Sequence, residues 1–144
     1  MGGHSAGGHI ASLLTLRDDW RREAGVPSDS LKACFCLSAT FNRRMVNPRL
    51  APDHVQPEPP TAIASESPLA LSSNARTPHF LCWGEKEDER VERTGRQMIS
   101  AWQGAGCRVE HAFQPGCGHY DIHLKTASPE DAFTSVVRRW MREL

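Results

Sequence analysis

The feature that most constrains this chain is Gly3-His4-Ser5-Ala6-Gly7, a G-x-S-x-G pentapeptide. That pattern marks a tight turn from the end of a strand into the start of a helix, with the serine hydroxyl held clear of both. Glycine on either side has a steric reason: the serine sits in a strained turn where a flanking Cβ would clash. The helix that follows would present free backbone N–H groups and a favourable dipole to negative charge beside Ser5. Ser5 is therefore a candidate nucleophile. Only Met1 and Gly2 precede the motif, so the strand that should feed the turn is expected to be missing.

A chain of 144 residues, 39% hydrophobic and 24% charged, suits one globular domain with a real core. Its formal net charge of +0 offers no field that would favour nucleic acid or a membrane surface as partner. No apolar run approaches bilayer-spanning length, and the glycine-rich start lacks the zones of a signal peptide. Cys34, Cys36, Cys82, Cys107 and Cys117 form no C-x-x-C pair, so free thiols and a cytoplasmic location are expected. Cys34 and Cys36 should face one side of a buried strand as small hydrophobes. Cys117-Gly118-His119 lacks the second pair of a zinc site. Neither metal nor cofactor is expected.

Along the chain, Ala6 to Arg17 has a helical pattern with Ile10, Leu13 and Leu14 as its apolar stripe. Leu31 to Ser38 is short and mostly apolar, as a buried strand should be. Residues 42–78 hold a cluster of prolines that denies them a long helix, and they are expected to form a lid-like segment or pocket wall. Within that segment, Ser67-Pro68-Leu69 starts a short helix. His79 to Trp83 is a second buried strand ending at Gly84, and a helix with Val91, Met98, Ile99 and Trp102 on one face runs to Gly104. Cys107 to Phe113 alternates, as a strand with one solvent-facing side would. The chain closes on an amphipathic helix opened by Ser128-Pro129-Glu130, with Phe133, Val136, Val137, Trp140, Met141 and Leu144 on one stripe. Strands separated by helices imply an α/β fold with about three parallel strands.

In such a sheet, functional groups gather at the carboxyl ends of the strands. Ser5, the acidic run at Glu87 and Asp88, and His119 all fall there. A serine hydroxyl needs a base to take its proton and an acid to hold that base in the right tautomer. Serine, acid, histidine is one of the known chain orders for such a set. Among the histidines, His4 should support the turn, His9 should face the start of the helix, and His111 lies within a strand. His123 lacks the glycine that precedes His119. His119 is the candidate base.

These residues resemble the C-terminal portion of an α/β-hydrolase of the kynurenine formamidase and carboxylesterase type. The likeness rests on Gly3-His4-Ser5-Ala6-Gly7-Gly8-His9, Ser67-Pro68-Leu69, Trp83-Gly84-Glu85-Lys86-Glu87 and Gly116-Cys117-Gly118-His119-Tyr120-Asp121. It implies that 1–144 is part of a single such domain. It also implies that the acid stands three residues after the glycine ending its strand. Counting from Gly84 selects Glu87, with Asp88 as the alternative. The expected activity is a serine hydrolase acting on a small carboxylic ester or aryl formamide, with the Ala6 backbone N–H as one oxyanion donor. The usual second donor comes from a histidine- and glycine-rich loop that this sequence lacks. The family's sheet has about eight strands. The chain is thus expected to be a fragment, to form an oligomer or pair with a partner chain that completes the sheet, or to serve as a non-catalytic half-domain.

Overall fold

The computed structural model describes residues 1–43, 65–125 and 127–144. Four parallel strands form one sheet in the order β1-β2-β3-β4: β1 is Gly2–His4, β2 Cys34–Leu37, β3 His79–Gly84 and β4 Val109–Gln114. The helices are α1 (Ala6–Leu16), α2 (Asp19–Glu23), α3 (Glu89–Gly104), α4 (Asp121–Lys125) and α5 (Ala132–Arg142). A 3₁₀ helix, Pro68–Asn74, starts after Ser67 with proline in its first turn. Residues 44–64 of the expected lid-like segment lie outside the described residues.

The feeder strand expected to be missing is present as β1, which raises the strand count from three to four. Gly2, Gly3 and His4 pair with Phe35, Cys36 and Leu37. Phe35 N–H donates to the Met1 carbonyl at 3.0 Å and Ser5 N–H to that of Leu37 at 2.8 Å. Three residues, two of them glycine, carry almost no strand propensity of their own. Pairing with β2 creates the strand.

A parallel sheet wound in one direction puts its right-handed crossovers on one face. Accordingly α1 and α3 share a face with Cys34, Cys36, Leu81 and Trp83, where Met98 and Trp102 are fully buried. The side of α1 turned to the sheet carries Gly8, Ala11, Ser12, Thr15 and Leu16. This corrects the expected stripe: Ile10 is 56% exposed, because close approach of helix to sheet selects the small residues. The opposite face holds Phe80 and Cys82 under Phe133 and Trp140 of α5, with Val136 and Val137 partly buried against them. Met141 and Leu144, also expected on that stripe, are exposed. Helix α5 begins at Ala132, later than expected, because the Asp131 carboxylate caps it by accepting from Phe133 N–H at 2.8 Å.

Candidate active site

Every strand delivers a polar residue to the same edge of the sheet. Ser5 follows β1, Ser38 follows β2, Glu87 stands three residues past the end of β3, and His119 five past the end of β4. Ser5 has φ 53° and ψ −120°, a strained conformation for a residue with a side chain. The turn closes tightly around it. A Cβ on Gly3 would lie 2.4 Å from the Gly7 carbonyl carbon, and one on Gly8 would lie 2.8 Å from the Ala39 Cβ. Gly7, by contrast, has nothing within 4 Å. The steric requirement therefore falls on Gly3 and Gly8 rather than on both glycines of the pentapeptide.

Ser5, His119 and Glu87 form one hydrogen-bonded chain. Ser5 Oγ lies 2.9 Å from His119 Nε2, and His119 Nδ1 lies 2.9 Å from Glu87 Oε2. With Nδ1–H donating to the carboxylate, Nε2 is the acceptor that faces the serine hydroxyl. The Glu87 side chain is 2% exposed and that of His119 is 31% exposed. The acid is enclosed while the imidazole reaches the surface. Asp88 is placed differently: it caps α3 by accepting from Arg90 N–H at 2.9 Å and pairs with the Arg90 guanidinium. Those hydrogen bonds from Arg90 hold its carboxyl at about 2.

The loops carrying acid and base are bound to each other. Lys86 N–H donates to the Cys117 carbonyl at 2.8 Å, and a Cβ on Gly84 would lie 2.2 Å from that oxygen. Glycine at 84 lets the two loops touch. Gly118, which precedes His119, is not required sterically: a Cβ there would meet only ordinary contacts and its φ is not left-handed. Asp121 instead shapes this turn by accepting from Gly118 N–H at 2.9 Å. Cys117 is 2% exposed, so its thiol is shielded beside the candidate base.

Two residues contribute contacts that the sequence did not single out for them. His4 Nε2–H donates to the His119 carbonyl at 2.6 Å, and its ring centroid lies 4.8 Å from that of His123. The Ser38 hydroxyl donates to Glu87 Oε1. The one available signal was placement: each adjoins the end of a parallel strand. His9 points away from the chain of contacts, toward the carbonyls of Thr40 at 2.8 Å and Glu66 at 2.9 Å. Burial lowers the pKa of His9, against the Thr40 hydrogen bond, and partial burial lowers that of His4, against the His119 carbonyl. His111 lies on β4 with its ring stacked against Trp83 at 5.9 Å.

No protein-family model matches the chain, and no curated protein sequence does. Solved structures do match. Esterase B from Lactobacillus rhamnosis superposes with a TM-score of 0.65 at 13% identity, over 99% of this chain and 50% of that one. A fungal esterase from Rhizomucor miehei gives 0.65 at 15%, with the same coverage of 99% and 50%. Dipeptidyl peptidase 4 from Porphyromonas gingivalis gives 0.62 at 16%, over 88% of this chain and 18% of that one. The chain carries part of the α/β-hydrolase fold. It spans half the length of the two esterases and under a fifth of the peptidase.

That fold hosts many chemistries, so activity has to be argued from the site. In this partial fold the residue after Ser5 is the first of α1, and the Ala6 N–H meets no acceptor among the described residues. Among the same residues, no cluster of three or more His, Cys, Asp or Glu could hold a metal ion, and no helix is long and apolar enough to cross a membrane.

Proposed function

We propose that this chain is the catalytic portion of a serine hydrolase that cleaves a small carboxylic ester or an aryl formamide. The observation that carries the reading is the run of contacts from Ser5 Oγ through His119 to the enclosed Glu87 carboxylate, each 2.9 Å long. The ester class is favoured by the likeness to esterases, and the aryl formamide class by the resemblance of the serine and histidine motifs.

In this mechanism Ser5 Oγ attacks the substrate carbonyl carbon while His119 Nε2 takes the hydroxyl proton. Glu87 holds the ring in the tautomer that leaves Nε2 free and stabilises the imidazolium that forms. The developing oxyanion faces the Ala6 N–H at the start of α1. Collapse of the tetrahedral intermediate expels the alcohol or amine, which receives its proton from His119. Water then enters with His119 as base, and its oxygen bonds to the acyl or formyl carbon. Ser5 leaves with the proton that His119 returns. Losing one oxyanion donor in other serine hydrolases costs about 10²–10³ in rate, which sets the scale of what the Ala6 N–H contributes.

A fluorophosphonate probe tests the proposal. Covalent labelling at Ser5, abolished in Ser5→Ala and in His119→Ala, is the expected outcome. Absence of labelling on cooperatively folded protein would refute it.

A second reading, a non-catalytic half-domain that pairs with another chain, is favoured by the edge of the sheet. Among the described residues no strand pairs with the outer side of β1, and Ile10 of the adjacent helix is 56% exposed. Sedimentation showing a folded monomer at micromolar concentration would count against it.

A further inference from the structure

Three strands lead into Ser5, Glu87 and His119; the remaining one, β2, leads into Ser38. That serine is 1% exposed and has φ 47°, a left-handed conformation rare for any residue but glycine. Its N–H donates to the Cys82 carbonyl at 2.8 Å, which ties its backbone to β3. Its hydroxyl donates to Glu87 Oε1, while Glu87 Oε2 meets His119 Nδ1. A carboxylate this enclosed needs a donor on each oxygen, because burial shields it from solvent.

We propose that Ser38 is a positioning residue for Glu87. Its hydroxyl, aimed by the left-handed turn at the end of β2, holds one carboxylate oxygen so that the other stays on the His119 ring. Glycine would adopt φ 47° without strain, and what serine adds there is the hydroxyl. The consequence for reaction rate rests on the serine-hydrolase reading above. The consequence for the His119 ring proton rests on the geometry alone.

Two substitutions in the full chain separate hydroxyl from backbone. Ser38→Gly relieves the strain and Ser38→Ala keeps it, and both lack the hydroxyl. In both, the maximal rate of fluorophosphonate labelling should fall about tenfold, with the half-saturating probe concentration unchanged. In both, NMR should show exchange of the His119 Nδ1–H with water faster by a similar factor. Full labelling rate in Ser38→Gly with a defect only in Ser38→Ala would assign the position a backbone role and overturn the proposal. Unchanged Nδ1–H exchange in both variants would overturn it as well. If the unsubstituted chain is never labelled at Ser5, yet its Nδ1–H is protected and loses that protection in both variants, the hydrolase reading fails and the Ser38 assignment stands.

Discussion

His4 Nε2 and the His119 carbonyl oxygen are 2.6 Å apart, so the residue preceding Ser5 holds the loop that carries the proposed base. The strand-to-helix turn and the histidine loop are thereby fastened side by side, over a sequence separation of 115 residues. A neutral hydrogen bond of this kind contributes about 1 kcal/mol. His4→Ala should leave the fold cooperative and slow Ser5 labelling by about fivefold, measured as pseudo-first-order rates with the fluorophosphonate probe. An unchanged rate would show that the loop holds His119 without this contact.

The glycines of the turn should respond in opposite directions. Gly3→Ala drives a Cβ into the Gly7 backbone at 2.4 Å, and neither partner is a flexible side chain that could move aside. A loss of about 3 kcal/mol or more in unfolding free energy is expected. Gly7→Ala meets open space on a helix and should be neutral or stabilising by about 0.5–1 kcal/mol. Urea denaturation of the two variants provides the check.

Neighbouring carboxylates should separate cleanly by role. Glu87→Gln replaces the carboxylate facing His119 Nδ1–H with a neutral amide, whose N–H₂ favours the wrong ring tautomer, and should slow labelling by about 10³–10⁴. Asp88→Ala removes the cap of α3 and the pairing with Arg90, at about 1 kcal/mol of stability, with the labelling rate preserved. Equal rate losses in the two variants would contradict this division.

Acid should weaken the fold in two separate windows. Burial lowers the pKa of His4 and of His9 below 6.5, so between those native values and 6.5 the unfolded chain binds more protons. Their contribution is complete above pH 6.5 and is lost as pH falls through that range. For Asp19 and Asp88, hydrogen bonds from Arg17 and Arg90 respectively hold the carboxyls at about 2 against an ordinary 3.8, so their contribution is lost only between those values. Urea midpoints recorded from pH 8 to pH 4 should decline below 6.5. A His4→Gln, His9→Gln double variant should flatten that decline.

Much of the element order was legible in the residues. Alternation in 107–113, the apolar run at 79–83 and the face formed by Val91, Met98, Ile99 and Trp102 each correspond to an observed strand or helix, because burial imposes those periods. Strand β1 was not legible, since its residues extend only because β2 offers them partners. The buried side of α1 was not legible for a related reason. Hydrophobicity favours Ile10, but where the first turns of the helix approach the sheet the space suits small residues such as Gly8 and Ala11.

Taken alone, the sequence determined the parallel α/β class and the candidates Ser5 and His119, because turn glycines and burial periods are local properties of the chain. For the acid, the count from Gly84 favoured Glu87 and left Asp88 open, two residues that differ by one position and point to different partners. That distinction, the short feeder strand, and the approach of His4 and Ser38 to the site were decided by tertiary structure. Each depends on which strand ends lie side by side, and a parallel sheet sets that by pairing residues far apart in the chain.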